Sequence, residues 1–83
     1  MIFSFVIPKP YDIKSTLMST EKNITAGGGI FSGDEKSGRF SGKGVSGIYN
    51  TGDDFIKITI TKKPPLYSAS SVKSAIERYF SLQ

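Results

Sequence analysis

The sequence predicts an α+β fold: a two-layer sandwich in the order strand, helix, three-strand meander, helix (β-α-β-β-β-α). An about four-stranded, largely antiparallel sheet carries both helices on one face. Three observations point there. Ile56, Ile58 and Ile60 alternate with Lys57, Thr59 and Thr61, the period-two pattern of a strand with one dry and one wet face. Upstream, three nine-residue blocks open at Gly29, Gly38 and Gly47, each running glycine, any residue, aromatic, with Phe31, Phe40 and Tyr49 in the aromatic place. Near the end, Val72, Ala75, Ile76, Tyr79 and Phe80 fall at i, i+3, i+4, i+7 and i+8, opposite Lys73, Ser74, Glu77, Arg78 and Ser81, as in a surface helix. Three short blocks fall short of a solenoid, which needs more stacked units and capped ends, so hairpins explain the repeat.

In chain order, residues 2–7 put Phe3, Phe5 and Ile7 on one side and Ile2, Ser4 and Val6 on the other, which suits a strand with little water on either face. Pro8 and Pro10 end it. From Tyr11 to about Ala26, Ile13, Leu17, Thr20 and Ile24 fall near helical spacing. Pro10 is tolerated in a first turn, where the amide is unpaired anyway, and Asp12 suits the positive end of the helix dipole. Ser15, Thr16, Ser19, Thr20 and Thr25 are indifferent helix formers, so this helix depends on tertiary packing. Ala26-Gly27-Gly28-Gly29 then ends it, because glycine accepts the positive φ found just past a helix. A phosphate cradle needs the order strand, glycine loop, helix; here a helix precedes the glycines and a strand follows.

Asp34-Glu35-Lys36-Ser37-Gly38 and Asn50-Thr51-Gly52-Asp53 have the composition of hairpin loops. Between them, residues 39–49 read as one long strand whose alternation slips. Phe40 and Gly42 share one parity and Val45 and Tyr49 the other, and a one-residue bulge near Gly42-Lys43-Gly44 restores both to one face. Phe5, Phe31, Phe40, Tyr49 and the three isoleucines then line the side under the helices. Lys62-Lys63-Pro64-Pro65 stops the sheet, since proline donates nothing to a ladder. Leu66 and Tyr67 are expected to pack as the chain turns over the sheet edge, with Ser68 or Ser70 capping the last helix. The neighbour of the first strand stays open at this level.

Composition narrows the chemistry. Residues 1–83 suffice for one domain with a modest core and two layers. With no cysteine and no histidine there is no disulfide framework, no thiolate nucleophile, and neither the commonest zinc ligand nor the commonest general base. The apolar start is too short for a secretory segment or a membrane span, which predicts a cytoplasmic protein with no membrane partner. The net charge of +4 is uneven: residues 56–83 hold five bases against Glu77 alone.

The run Gly29-Ile30-Phe31-Ser32-Gly33-Asp34, with Gly47-Ile48-Tyr49, Ile58-Thr59-Ile60-Thr61-Lys62-Lys63-Pro64 and the short amphipathic last helix, resembles a group of small uncharacterised prokaryotic α+β proteins over most of the chain. It is also faintly similar to helix-grip proteins, a resemblance that implies an apolar ligand held between sheet and helix. The order helix, three strands, helix is also that of double-stranded-RNA-binding domains, whose last helix opens on lysines; Ser68 to Ser71 holds no base. None of these resemblances supplies catalytic residues.

The expected function is therefore a small non-enzymatic binding or interaction domain, with no cofactor, no metal and no catalytic residue. Asp34 and Glu35 sit in one hairpin loop and Asp53 and Asp54 in the next, and successive loops of a meander lie at opposite ends of a sheet, which separates the two acid pairs. On the face away from the helices, Lys57, Thr59 and Thr61 look outward, and Arg39 or Lys43 joins them. Together with Lys62 and Lys63 these form a candidate surface for an anionic macromolecule, nucleic acid included. The alternatives are a small apolar ligand between helices and sheet, and a homodimer formed through a sheet edge.

Overall fold

The computed structural model describes residues 3–81, with side chains to residue 80. The chain runs β1 (Phe3–Pro8), α1 (Ile13–Ala26), β2 (Ile30–Gly33), β3 (Ser37–Gly42), β4 (Val45–Thr51), β5 (Phe55–Lys62) and α2 (Ala69–Ser81). Ile2 and the side chain of Ser81 lie outside the described residues. The strands make one antiparallel sheet in the order β1-β5-β4-β3-β2, and one core joins both helices to the same sheet face. The α+β sandwich is as expected, but the meander has four strands rather than three and the sheet five rather than four.

The extra strand comes from a turn at the position where the sequence suggests a bulge. Lys43 (φ 53°) and Gly44 (φ 84°) both have positive φ, as the two central residues of a type I′ hairpin require. Gly42 therefore pairs with Val45, and Phe40 lies opposite Gly47. This resets the parity, so that Phe31, Phe40, Val45 and Tyr49 all turn toward the helices. The register does slip, but between Ser46 and Gly47, whose partners on β5 are Lys62 and Ile60; Thr61 is the extra residue.

The same registers explain the glycine-aromatic blocks. Gly38 lies opposite Tyr49 and Gly47 opposite Phe40, so each glycine leaves room for the ring of a neighbouring strand. A methyl group on Gly38 would stand 2.6 Å from Tyr49 Cε2, and one on Gly47 2.7 Å from Phe40 Cζ.

Asp12 caps α1 by accepting from the Ser15 N–H at 3.1 Å. Pro10 therefore precedes the helix instead of occupying its first turn. At the other end Gly28 (φ 90°) lets the Gly28 N–H reach Thr25 O and the Gly29 N–H reach Ile24 O, the paired bonds of a Schellman cap. Ser68 caps α2, its Oγ accepting from the Ser71 N–H at 3.1 Å. The two helices meet along small residues: Thr16 and Thr20 are buried, and Thr20 Oγ1 lies 2.8 Å from Thr16 O and 2.9 Å from Tyr79 O. Its one proton is shared between them, which satisfies a carbonyl in the last turn of α2.

Beneath the helices lie Ile7, Phe40, Tyr49, Ile56, Ile58 and Ile60, all buried, capped by Leu17, Ile24, Val72, Ile76 and Phe80. Each such side chain contributes about 1.5–3 kcal/mol on leaving water. Tyr49 is fully enclosed, stacked on Phe31 at 5.7 Å and edge-on to Phe80 at 5.8 Å, with its hydroxyl donating to Asp34 O at 2.6 Å. Burial first, then the charges of Asp34 and Glu21, push that hydroxyl from its ordinary 10.0 up to about 12. The fold thus holds this proton more tightly than the unfolded chain does, so the associated stability is complete below pH 10 and lost as pH rises through about 12. In urea titrations the midpoint should fall over that alkaline window, and the fall should be smaller in Tyr49→Phe; equal slopes would remove Tyr49 as its source.

Candidate functional site

The antiparallel alternation puts Arg39 and Lys57 on the sheet face that no helix covers, and the register slip at Thr61 adds Lys62 by pairing it with outward-facing Ser46. Arg39 lies in the cross-strand row Ser32, Arg39, Ile48, Thr59, Ser4. Lys57 lies in the next row with Ser37, Asn50 and Val6, and Lys62 pairs with Ser46 at the far end. Two strands and one row separate Arg39 from Lys57, about 12 Å between Cα atoms from standard sheet spacings. No acid occurs on the strands of this face among the described residues. The aromatics, however, are on the other side: Phe3, Phe5, Phe31, Phe40 and Tyr49 belong to the core or pack against it. Only Phe55 remains, at the end of the uncovered face, where its ring crowds Gly52. The face has charges for phosphates and lacks a platform on which bases stack.

Lys43 and Lys63 are elsewhere. Lys43 stands in the β3–β4 turn at the end of the sheet, and Lys63 lies just past β5, its Nζ donating to Tyr67 O at 2.6 Å. With the Tyr67 N–H to Pro64 O bond, that contact closes the segment before α2 into a compact loop. Leu66, expected to pack, is 95% exposed, while Tyr67 is 49% exposed. The loop shows Leu66 to solvent and sets Tyr67 at the mouth of a groove.

This groove opens where α1 ends and α2 passes over the β3–β4 hairpin. Its volume is about 150 Å³. Ile24, Phe40, Val45, Val72 and Ile76 form its floor and walls, Tyr67 and Tyr79 its sides, and Gly27 and Gly29 keep the end of α1 low. Lys43 is the one charged residue in the lining. Its Cε lies 3.9 Å from where a Cβ on Gly27 would sit, so the stem crosses the helix end, and Lys43 is exposed. A lysine there also complements the negative end of the α1 dipole.

At the opposite end of the sheet, the four-strand meander brings the β2–β3 and β4–β5 loops to the same side, and the Thr51 N–H donates to Lys36 O at 2.8 Å. The two acid pairs, Asp34 with Glu35 and Asp53 with Asp54, are therefore not held at opposite ends, as a three-strand meander would place them. Asp34 is committed to its turn: its carboxylate accepts from the Lys36 N–H at 2.8 Å and the Ser37 N–H at 3.1 Å. Those amides, Ser37 foremost, hold its pKa below the ordinary carboxylate value. Among the described residues no group of three or more acids could hold a metal ion, and no helix is long and apolar enough to cross a membrane.

The groove was not visible as a site in the sequence, since Ile24, Val45 and Val72 read there as ordinary core residues. The signal that marks it is Gly42-Lys43-Gly44, a lysine between glycines at a point where two strand-like runs meet. The chain matches no family description, no curated protein and no solved structure.

Proposed function

We propose that the domain is a non-enzymatic binding module that holds a small apolar molecule with an anionic group, the apolar body in the groove and the anion at Lys43. The observation that supports this reading is the open apolar space of about 150 Å³ with a single cation at its lip. A space of that order accommodates one benzene-sized ring. Mostly apolar walls with one placed polar group are the usual make-up of a small-ligand site. The uncovered sheet face supports a partner less well, since it combines widely spaced bases with a single ring, Phe55, at its end.

Backbone-amide NMR titration with benzoate and with benzyl alcohol tests it. Benzoate has few heavy atoms, so affinity in roughly the millimolar range or somewhat tighter is expected from ligand-efficiency limits. Saturable shifts should concentrate at Ile24, Val45, Val72 and Ile76. Lys43→Gln should weaken benzoate several-fold and leave benzyl alcohol unchanged, and Val45→Phe should exclude both. Shifts that do not saturate, or that map to the uncovered face, would refute the groove as the binding site.

A further inference from the structure

β1 is one edge of the sheet, paired only with β5. The Lys9 N–H donates to Asp54 O at 3.0 Å, next to the Pro8–Phe55 pair. Bonded pairs recur at every second residue of an antiparallel ladder, so Ile7, Phe5 and Phe3 spend their backbone groups on β5. Ser4, Val6 and Pro8 turn theirs outward. Pro8 has no N–H to leave unpaired, and it stands where an edge strand tolerates proline. The open donors of the described strand are thus the Ser4 and Val6 amides.

Natural edges are usually protected by charge, proline, a bulge or brevity. Over residues 3–8 β1 has only Pro8, at its last position: the strand is six residues long, regular in its pairing and without a charged side chain, and residues 3–7 carry no such device. The other edge, β2, has four residues and runs into Asp34, Glu35 and Lys36. On the helix side of β1, Phe3 and Phe5 are only partly buried; they stack on each other at 6.0 Å, and Lys73 Nζ stands 5.9 Å above the Phe5 ring. On the uncovered side Val6 is 57% exposed. Backbone and side chains at this edge are both unfinished.

We infer that β1 pairs with β1 of a second copy of this chain, antiparallel about a two-fold axis through Phe5. In that register Ser4 lies opposite Val6 of the second copy and Val6 opposite its Ser4, so each of the four outward amides meets a carbonyl. Moving the axis to Val6 would place Ser4 opposite Pro8, which donates nothing, and leave the Ser4 carbonyl unpaired. The chosen register brings the two Phe5 side chains face to face at a non-hydrogen-bonded site, with Cα atoms about 4.5 Å apart, and covers the aromatic margin that the monomer leaves half open. Five strands from each copy then form one continuous sheet with all four helices on one face. An uncharged strand is self-complementary in this way because nothing on it repels its own image.

Sedimentation velocity on the full chain, from micromolar to millimolar concentration, with backbone hydrogen exchange at both extremes, decides the matter. The expected mass rises from 9.0 kDa to twice that value. Exchange at the Ser4 and Val6 amides should slow by about tenfold or more as the dimer forms. Val6→Pro removes an outward donor without touching the β5 ladder and should leave a folded monomer by circular dichroism. Should that variant fail to fold, the exchange data on the unchanged chain still discriminate. A chain that stays at 9.0 kDa at millimolar concentration overturns the pairing, as it would if β1 served a strand of another protein instead. A dimer whose Ser4 and Val6 amides exchange as freely as in the monomer overturns it as well, since its interface would lie elsewhere.

Discussion

Phe80→Ala should lower the unfolding free energy by about 3–5 kcal/mol, the usual cost of emptying a buried aromatic site. Phe80 is 1% exposed and meets two strands at once, edge-on to Phe40 at 6.2 Å and to Tyr49 at 5.8 Å. It is the wedge between the last turn of α2 and the middle of the sheet. A chain of 83 residues has about 4–12 kcal/mol in total at the usual stability per residue, so this one truncation removes a large share. Because Thr20 ties α1 to the carbonyl of neighbouring Tyr79, loosening the end of α2 also loosens the contact between the helices. Urea unfolding followed by far-ultraviolet circular dichroism measures the change. Ile76→Val, which removes one methylene in the same helix, should cost only about 0.5–1.5 kcal/mol. A Phe80→Ala loss no larger than that of Ile76→Val would show that α2 is not pinned to the sheet through this ring.

What the sequence reveals here follows from which signals are local. The isoleucine alternation in β5, the spacing of Val72, Ile76 and Phe80, and the glycine stop after α1 each depend on a few neighbouring residues, and the fold keeps all three. The β3–β4 turn was hidden because its first positive-φ residue is Lys43, a side chain that rarely adopts that conformation. Reading through it merges two strands, and the same error sends the two acidic loops to opposite ends. The place of β1 beside β5 is a pairing between residues 47 to 57 positions apart, from Pro8 with Phe55 to Phe3 with Ile60, and no local pattern encodes it. The groove lies between the end of α1, α2 and the β3–β4 hairpin, residues far apart in sequence, so it too appears only when packing is known. Arg39 and Lys57 share the uncovered face because strand parity is local, Lys62 joins them through the slip at Thr61, and Lys43 and Lys63 left that group once the turn and the loop before α2 were in place.

The glycine-aromatic repeat gives the other large effect at Gly38, and a glycine of the same strand outside the repeat, Gly42, gives the opposite sign. Gly38→Ala should be destabilising by about 1–3 kcal/mol, as overpacked sites generally are. The new methyl would stand 2.6 Å from Tyr49 Cε2 and 2.6 Å from Ser32 O, so both a core ring and the backbone of β2 must move. For a domain of this size each lost kcal/mol lowers the melting temperature by about 4–8 °C, well within the resolution of a thermal melt. Gly42→Ala lies four residues along β3, where the nearest atom to an added Cβ is Gly29 Cα at 3.4 Å and φ is not positive. Tight but unobstructed, that site should respond mainly through the unfolded chain, whose freedom alanine reduces, and gain about 0.4–1 kcal/mol. If the two glycines of β3 were turn punctuation rather than Gly38 making room for a cross-strand ring, both substitutions would act alike. A Gly38→Ala melt that matches or exceeds that of Gly42→Ala would therefore contradict the placement of Tyr49 over Gly38.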